Sequence, residues 1–110
     1  METSFHLLRM IGMLSNYSGY NYLAYAISLV LENPDYLRNI TRTLYGTVGE
    51  KYSVTNLCVE AAIRTLITNY WNQNDTRILS SVLGYPLFDK PTAGELISIL
   101  ADFLREHPDF

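Results

Sequence analysis

One cysteine, two histidines, one tryptophan and eight basic residues are spread over 110 positions, and each scarcity closes a route. Cys58 has no second thiol with which to form an internal disulfide or a thiolate metal site. His6 and His107 stand near opposite ends of the chain without the companions a metal site needs, so no metal and no cofactor is expected. A glycine-rich phosphate loop, a His-Glu-x-x-His pair and a nucleophile elbow are all missing. Asp102, Glu106 and Asp109 read as helix-surface and tail charges rather than as a paired acid and base. Neither catalysis nor a small-molecule substrate is therefore expected. The longest nearly apolar run, Tyr22 to Leu31, is broken by Ser28 and reaches only about half the ~20 residues of a membrane span. Glu2 and Arg9 spoil the charge order of a signal peptide. The expected setting is cytoplasmic, with no membrane partner.

Positive charge is short as well. The formal net charge is −3, and Arg9, Arg38, Arg42, Lys51, Arg64, Arg77, Lys90 and Arg105 never occur in pairs. A strong, sequence-independent hold on nucleic acid needs many Lys and Arg at phosphates, and this chain does not supply them. Read alone, the charges describe an ordinary solvated surface.

What is abundant is helical patterning. With 48% apolar and 17% charged residues, residues 1–110 suit one compact, all-α domain. Phe5, Leu8, Ile11 and Leu14 form a first stripe, and Leu23, Ala26, Ile27 and Val30 a second. Asn33 and Pro34 stop that helix and start the next as N-cap and first helical residue. Leu37, Ile40, Leu44 and Val48 continue a face, and Gly46 and Gly49 predict a break between Leu44 and Lys51, leaving one kinked helix or two short ones. Val59, Ala62, Ile63, Leu66, Ile67, Tyr70 and Trp71 give the clearest face, capped by Ser53 or Thr55 and ended by Asn72 to Asp75. A short helix from Thr76 to Leu83 should stop at Gly84. Tyr85 to Pro91 is an irregular connection that could extend as a wing. Thr92 and Glu95 have capping-box spacing for a last helix through about Glu106, with Leu96, Ile97, Leu100 and Leu104 inward.

Between Val48 and Arg64 the apolar and small residues are spaced as in a helix-turn-helix, which places its second helix in a DNA major groove. Val48 and Tyr52 would pack the first helix, Gly49 would allow close approach, and Val59 and Ile63 would hold the second helix. The predicted architecture is an all-α bundle containing this motif.

Several separated motifs carry a resemblance over about residues 17–106. They are Gly19 to Leu23 with Ala26-Ile27-Ser28; Ile40-Thr41-Arg42 with Leu44-Tyr45; and Val59-Glu60 with Ala62-Ile63-Arg64, Ile67 and Trp71. Leu83-Gly84-Tyr85, Lys90-Pro91-Thr92 with Glu95, and Ala101-Asp102 follow. In this order the chain resembles the C-terminal DNA-binding domain of the sporulation response regulator family, stage zero sporulation protein A. The resemblance implies a six-helix fold that binds short promoter boxes in double-stranded DNA, often as tandem protomers. About sixteen residues precede the resemblance, and the expectation is a domain without a receiver in cis. The family's recognition helix usually reads Ser-Arg-Val-Glu-Arg-Ala-Ile-Arg-His; here Leu57 to Thr65 lacks both arginines flanking Val-Glu.

Lys51, Thr55, Asn56, Glu60, Arg64 and Thr65 are the candidate DNA-binding residues. Glu60, Ala61, Arg64, Thr65 and Thr68 share the face away from the core. Glu60 and Arg64 fit either an exposed i,i+4 ion pair or contacts with bases and phosphates, and Thr55 either a cap or a phosphate contact. Leu57 and Cys58, apolar at the start of this helix, fit local burial or packing against another chain. Among nine tyrosines, Tyr17, Tyr20, Tyr22 and Tyr25 are crowded together. They suit stacking on single-stranded bases, the junction of the first two helices, or an oligomer contact. Tyr25 with Tyr22 and Leu29, or Phe103 with Ile99, would widen an inward stripe into a candidate homodimer contact. Two function classes result. One is a DNA-binding transcriptional regulator with altered recognition residues. The other is a protein-interaction module on the same scaffold that has lost DNA binding and modulates a relative or other partner.

Overall fold

From Ser18 to Leu31 the chain carries no charged side chain, and the helix it forms is the one against which the first, fourth and sixth α-helices pack. In the computed structural model, which describes residues 1–13, 17–73 and 76–110, α1 spans Glu2–Met10 and α2 Ser18–Glu32. They are followed by α3 Tyr45–Tyr52, α4 Asn56–Gln73, α5 Arg77–Leu83 and α6 Ala93–Glu106. Leu14 of the first predicted stripe, and Asn74 and Asp75 of the predicted stop after Trp71, lie outside the described residues. Among those described, six α-helices and no strand occur, and no helix is long and apolar enough to cross a membrane.

Leu23, Ala24, Ala26, Ile27 and Val30 are all sealed from solvent, so α2 is buried on more than one side, against α1, α4 and α6. The polar interruption at Ser28 is satisfied internally: its Oγ donates to Ala24 O at 3.0 Å and lies 2.9 Å from Ser4 Oγ on α1. Ser4 and Leu7 are thus inward on α1 beside the predicted Leu8 and Ile11. The tyrosines divide. Tyr20 fills the α1–α2 junction, its ring stacked on Phe5 at 5.4 Å and its hydroxyl donating to Phe5 O at 3.3 Å. Tyr22 and Tyr25 turn away from that junction and pack on Tyr52 of α3 at 5.1 and 6.1 Å.

Between α2 and α3 the break falls earlier than predicted. Asn33 caps a 3-10 turn, Pro34–Leu37, its Oδ1 accepting from Asp35 N at 3.1 Å. A π-type turn, Ile40–Leu44, then leads into α3, which runs unbroken through Gly46 and Gly49. Thr43 Oγ1 donates to Asn39 O and Tyr36 O at 2.7 and 3.0 Å, competing with regular helical pairing here, whereas the two glycines sit in a helix whose Tyr45, Val48 and Gly49 are buried.

The later elements match the expected local signals. Gly84 ends α5 in the left-handed conformation (φ 84°). Tyr85 to Pro91 is irregular, and the wing does not form; Pro86 and Pro91 lack the N–H a strand ladder needs. The capping box of α6 is complete, with Thr92 Oγ1 accepting from Glu95 N at 3.2 Å and Glu95 Oε1 from Thr92 N at 3.1 Å. Leu96, Ile97, Leu100 and Leu104 are buried as predicted. Phe103 is a correction: it is not a surface contact but is covered by the chain's own tail, with His107 stacked at 4.2 Å and Phe110 edge-on at 5.6 Å. Leu29 of the other candidate dimer surface is buried too.

Gly46 and Gly49, both helical, should respond oppositely to alanine. A Cβ at Gly49 would stand 2.5 Å from Val54 O, while one at Gly46 meets nothing within 4 Å. In urea titrations we expect Gly49→Ala to lose about 1–3 kcal/mol and Gly46→Ala to gain about 0.5–1 kcal/mol. Equal responses would show that the close approach at Gly49 is not a constraint.

Candidate nucleic-acid interface

The turn between α3 and α4 is built from local geometry. Ser53 ends α3 with φ 60°, and Gly49 O accepts from Val54 N at 2.9 Å. Thr55 Oγ1 accepts from Cys58 N at 3.1 Å, so Thr55 caps α4, and Ser53 serves instead as the left-handed stop of α3. Fully buried Val48, Val59 and Ile63 fasten the two helices from within. The backbone of α4 also meets α2 closely, because a Cβ at Gly19 would collide with Ala62 O. Farther along, Tyr70 OH donates to Ile11 O at 2.6 Å. The inner face of α4 is thereby pinned, and its outer face is open.

On that outer face Cys58, Ala61, Arg64 and Thr65 are exposed, and Leu57 is 67% exposed. Local burial of Leu57 and Cys58 is therefore excluded: only from Val59 onward does α4 meet the core, and its first turn projects beyond it. Glu60 is half-buried, tilted to one flank, and its carboxylate holds the Arg64 guanidinium. Asn56 is committed internally, its Nδ2 donating to Thr41 O at 3.3 Å and its Oδ1 accepting from Leu57 N at 2.9 Å. Lys51 stands apart, its Nζ 5.1 Å from the Tyr25 ring centre and 5.8 Å from that of Tyr52. Tyr25, a candidate partner contact, is half covered by these neighbours.

A groove of about 480 Å³ runs beside Glu60 and Arg64, bounded by Ile40, Thr41, Thr68 and the Lys90–Gly94 entry to α6. Tyr45 lines it; burial first, then the Glu60 carboxylate, push its hydroxyl up to about 12, with Arg64 opposing. Lys90 Nζ donates to Thr68 Oγ1 at 3.1 Å, bringing a cation from a distant loop to the exposed face of α4. In the sequence Lys90 stands out only as part of a motif, since pairing across 22 positions has no periodic signature.

The family model described as Sporulation initiation factor Spo0A C terminal matches residues 5–104. This chain belongs to the Spo0A C-terminal family. The family is one of DNA-binding effector domains, and the match takes in α1 from Phe5 onward, ahead of the motifs that carried the sequence resemblance. In this Spo0A-type fold, Arg64, paired with Glu60, and Lys90, bonded to Thr68, bring positive charge to the outer side of α4.

Two measurements address this electrostatic arrangement. Tyr45 is neutral in the folded chain to about pH 12 but ionises from a reference value of 10.0 when unfolded. Its contribution to stability is thus complete below pH 10 and lost as pH rises toward 12. Urea unfolding followed by Trp71 fluorescence should show that fall, and Tyr45→Phe should flatten it. Separately, Glu60→Gln should release Arg64 and tighten binding to a scrambled duplex by roughly two- to fivefold at low salt; unchanged binding would mean that the pair does not restrain Arg64.

Proposed function

We propose that this chain is a sporulation-type transcriptional regulator that acts in the cytoplasm and binds promoter boxes in double-stranded DNA through the helix-turn-helix of α3 and α4. The observation that carries this reading is the open outer face of α4, on a helix otherwise fastened to the core, in a chain of a DNA-binding family. Arg64 is the leading contact. Its exposed pairing with Glu60 is worth only about 0.3–0.5 kcal/mol, which a phosphate or a guanine edge readily replaces. Thr65, Thr55 and Lys51 are the further candidates, and Glu60 suits a bond from cytosine N4. Asn56 would have to leave Thr41 O to take part.

Site preference is altered in this reading. Cys58 and Ala61 stand where the family usually has arginine and offer no bidentate contact to guanine, each such pair giving roughly 1–3 kcal/mol of discrimination. Two lost pairs amount to much of the ~4–10 kcal/mol between specific and non-specific binding. With a net charge of −3, phosphate attraction does not make up the difference.

A second reading has its own observation, the exposure of Leu57 and Cys58. Here the scaffold binds a protein, either another copy or a relative of the family, and modulates it. Fluorescence anisotropy with a family-type box and a scrambled duplex across a salt series separates the two readings. We expect tighter binding to the box, and Arg64→Ala to weaken binding to both duplexes and reduce the salt slope by about one. Failure of the folded chain to bind either duplex at low salt would overturn the DNA reading.

A further inference from the structure

The outermost groups of α4 are mostly carbon. Leu57, Ala61 and Thr65 recur at four-residue steps on the side opposite buried Val59, Ile63 and Ile67; Leu57 is 67% exposed and the other two are also exposed. Of the nearby polar groups, the Asn56 amide is held back by its bond to Thr41 O, while Arg64 shares the face in an exposed, exchangeable pair with Glu60. A duplex approaching this face therefore meets, beside the Arg64 guanidinium, an isobutyl group, a methyl group, and a threonine carrying both methyl and hydroxyl.

Major-groove base edges differ in what they offer such groups. Guanine shows two acceptors, adenine an acceptor and a donor, and cytosine a donor, whereas thymine adds a C5-methyl to its single acceptor. Pressing Leu57 on a guanine or adenine edge would strip water from polar atoms without replacing their hydrogen bonds. Pressing it on a thymine methyl removes two apolar groups from water together. We infer that Leu57 and Ala61 read thymine methyl groups, so that the duplex this chain selects has thymines at its centre. The positions are about 6 Å apart along the helix axis, which places the thymines one or two base steps apart in the groove. This inference rests on the DNA-binding reading and names the class of site that it would recognise.

The test begins with selection of duplexes from a random-sequence pool by the full 110-residue chain, its fold checked by circular dichroism. Each central thymine of the selected duplex is then replaced by deoxyuridine, which removes the methyl and preserves the hydrogen-bonding edge. We expect thymines in the selected core and about a fourfold loss of affinity per contacted methyl, the fold-change corresponding to burial of one methyl group. Leu57→Ala, at an exposed site, should reduce the difference between thymine and deoxyuridine duplexes. Equal affinity for the two duplexes, or a selected core without thymine, would overturn the inference while leaving DNA binding intact. Enrichment of no duplex by folded protein at low salt would overturn both, with Leu57 then assigned to a protein contact.

Discussion

The burial of α2 is the constraint on which the rest of the structure depends. A helix whose Ser18 to Leu31 stretch has no charge, and whose Leu23, Ala24, Ala26, Ile27 and Val30 are all excluded from solvent, can exist in water only with neighbours around it. Helices α1, α4 and α6 are those neighbours. Each fits against α2 by a different device. On α1 it is the Ser4–Ser28 contact, which satisfies the hydroxyl on that side; on α6 it is a continuous apolar face; on α4 it is the Ala62 backbone set against Gly19. The position of α4 is thus a consequence of covering α2.

That arrangement separates a side committed to the core from a side open to solvent on a single helix. The inward side chains of α4 are committed to the core and Tyr70 reaches Ile11 at the end of α1, while the outward ones make few contacts within the chain. Substitutions on the outer face, at Cys58 and Ala61 among others, therefore cost the fold little. Electrostatics follows the same division. Arg64 and Lys90 are held by half-buried but easily exchanged partners, whereas the Tyr45 hydroxyl is bound to its neutral form by burial.

Local signals were legible and distant ones were not. The capping box of Thr92 and Glu95, the stop at Gly84, the Thr55 cap and the stripes of α2, α4 and α6 all involve residues within a few positions of one another, where spacing alone defines the geometry. Periodicity misplaced the break before α3 because Thr43 bonds backward to Tyr36 and Asn39, a competition that an apolar pattern does not show. It also placed Phe103 at a surface, since the residues that cover it, His107 and Phe110, lie beyond the end of α6. The candidate site was half readable: the face shared by Ala61, Arg64, Thr65 and Thr68 follows from helical geometry, but the internal use of Asn56, the exposure of Leu57 and the arrival of Lys90 do not.

By itself, the sequence determined an all-α chain, the approximate bounds of most of its helices, the motif from Val48 to Arg64 and the family to which it belongs, because these depend on residue type and short-range spacing. Only the tertiary structure decided which side chains reach solvent and which are spent within the protein. Leu57 projects because nothing folds over the first turn of α4, Asn56 is withdrawn because Thr41 O lies beside it, and Lys90 joins that face because α6 begins next to Thr68. Exposure is a property of how the helices meet, and recognition depends on exposure.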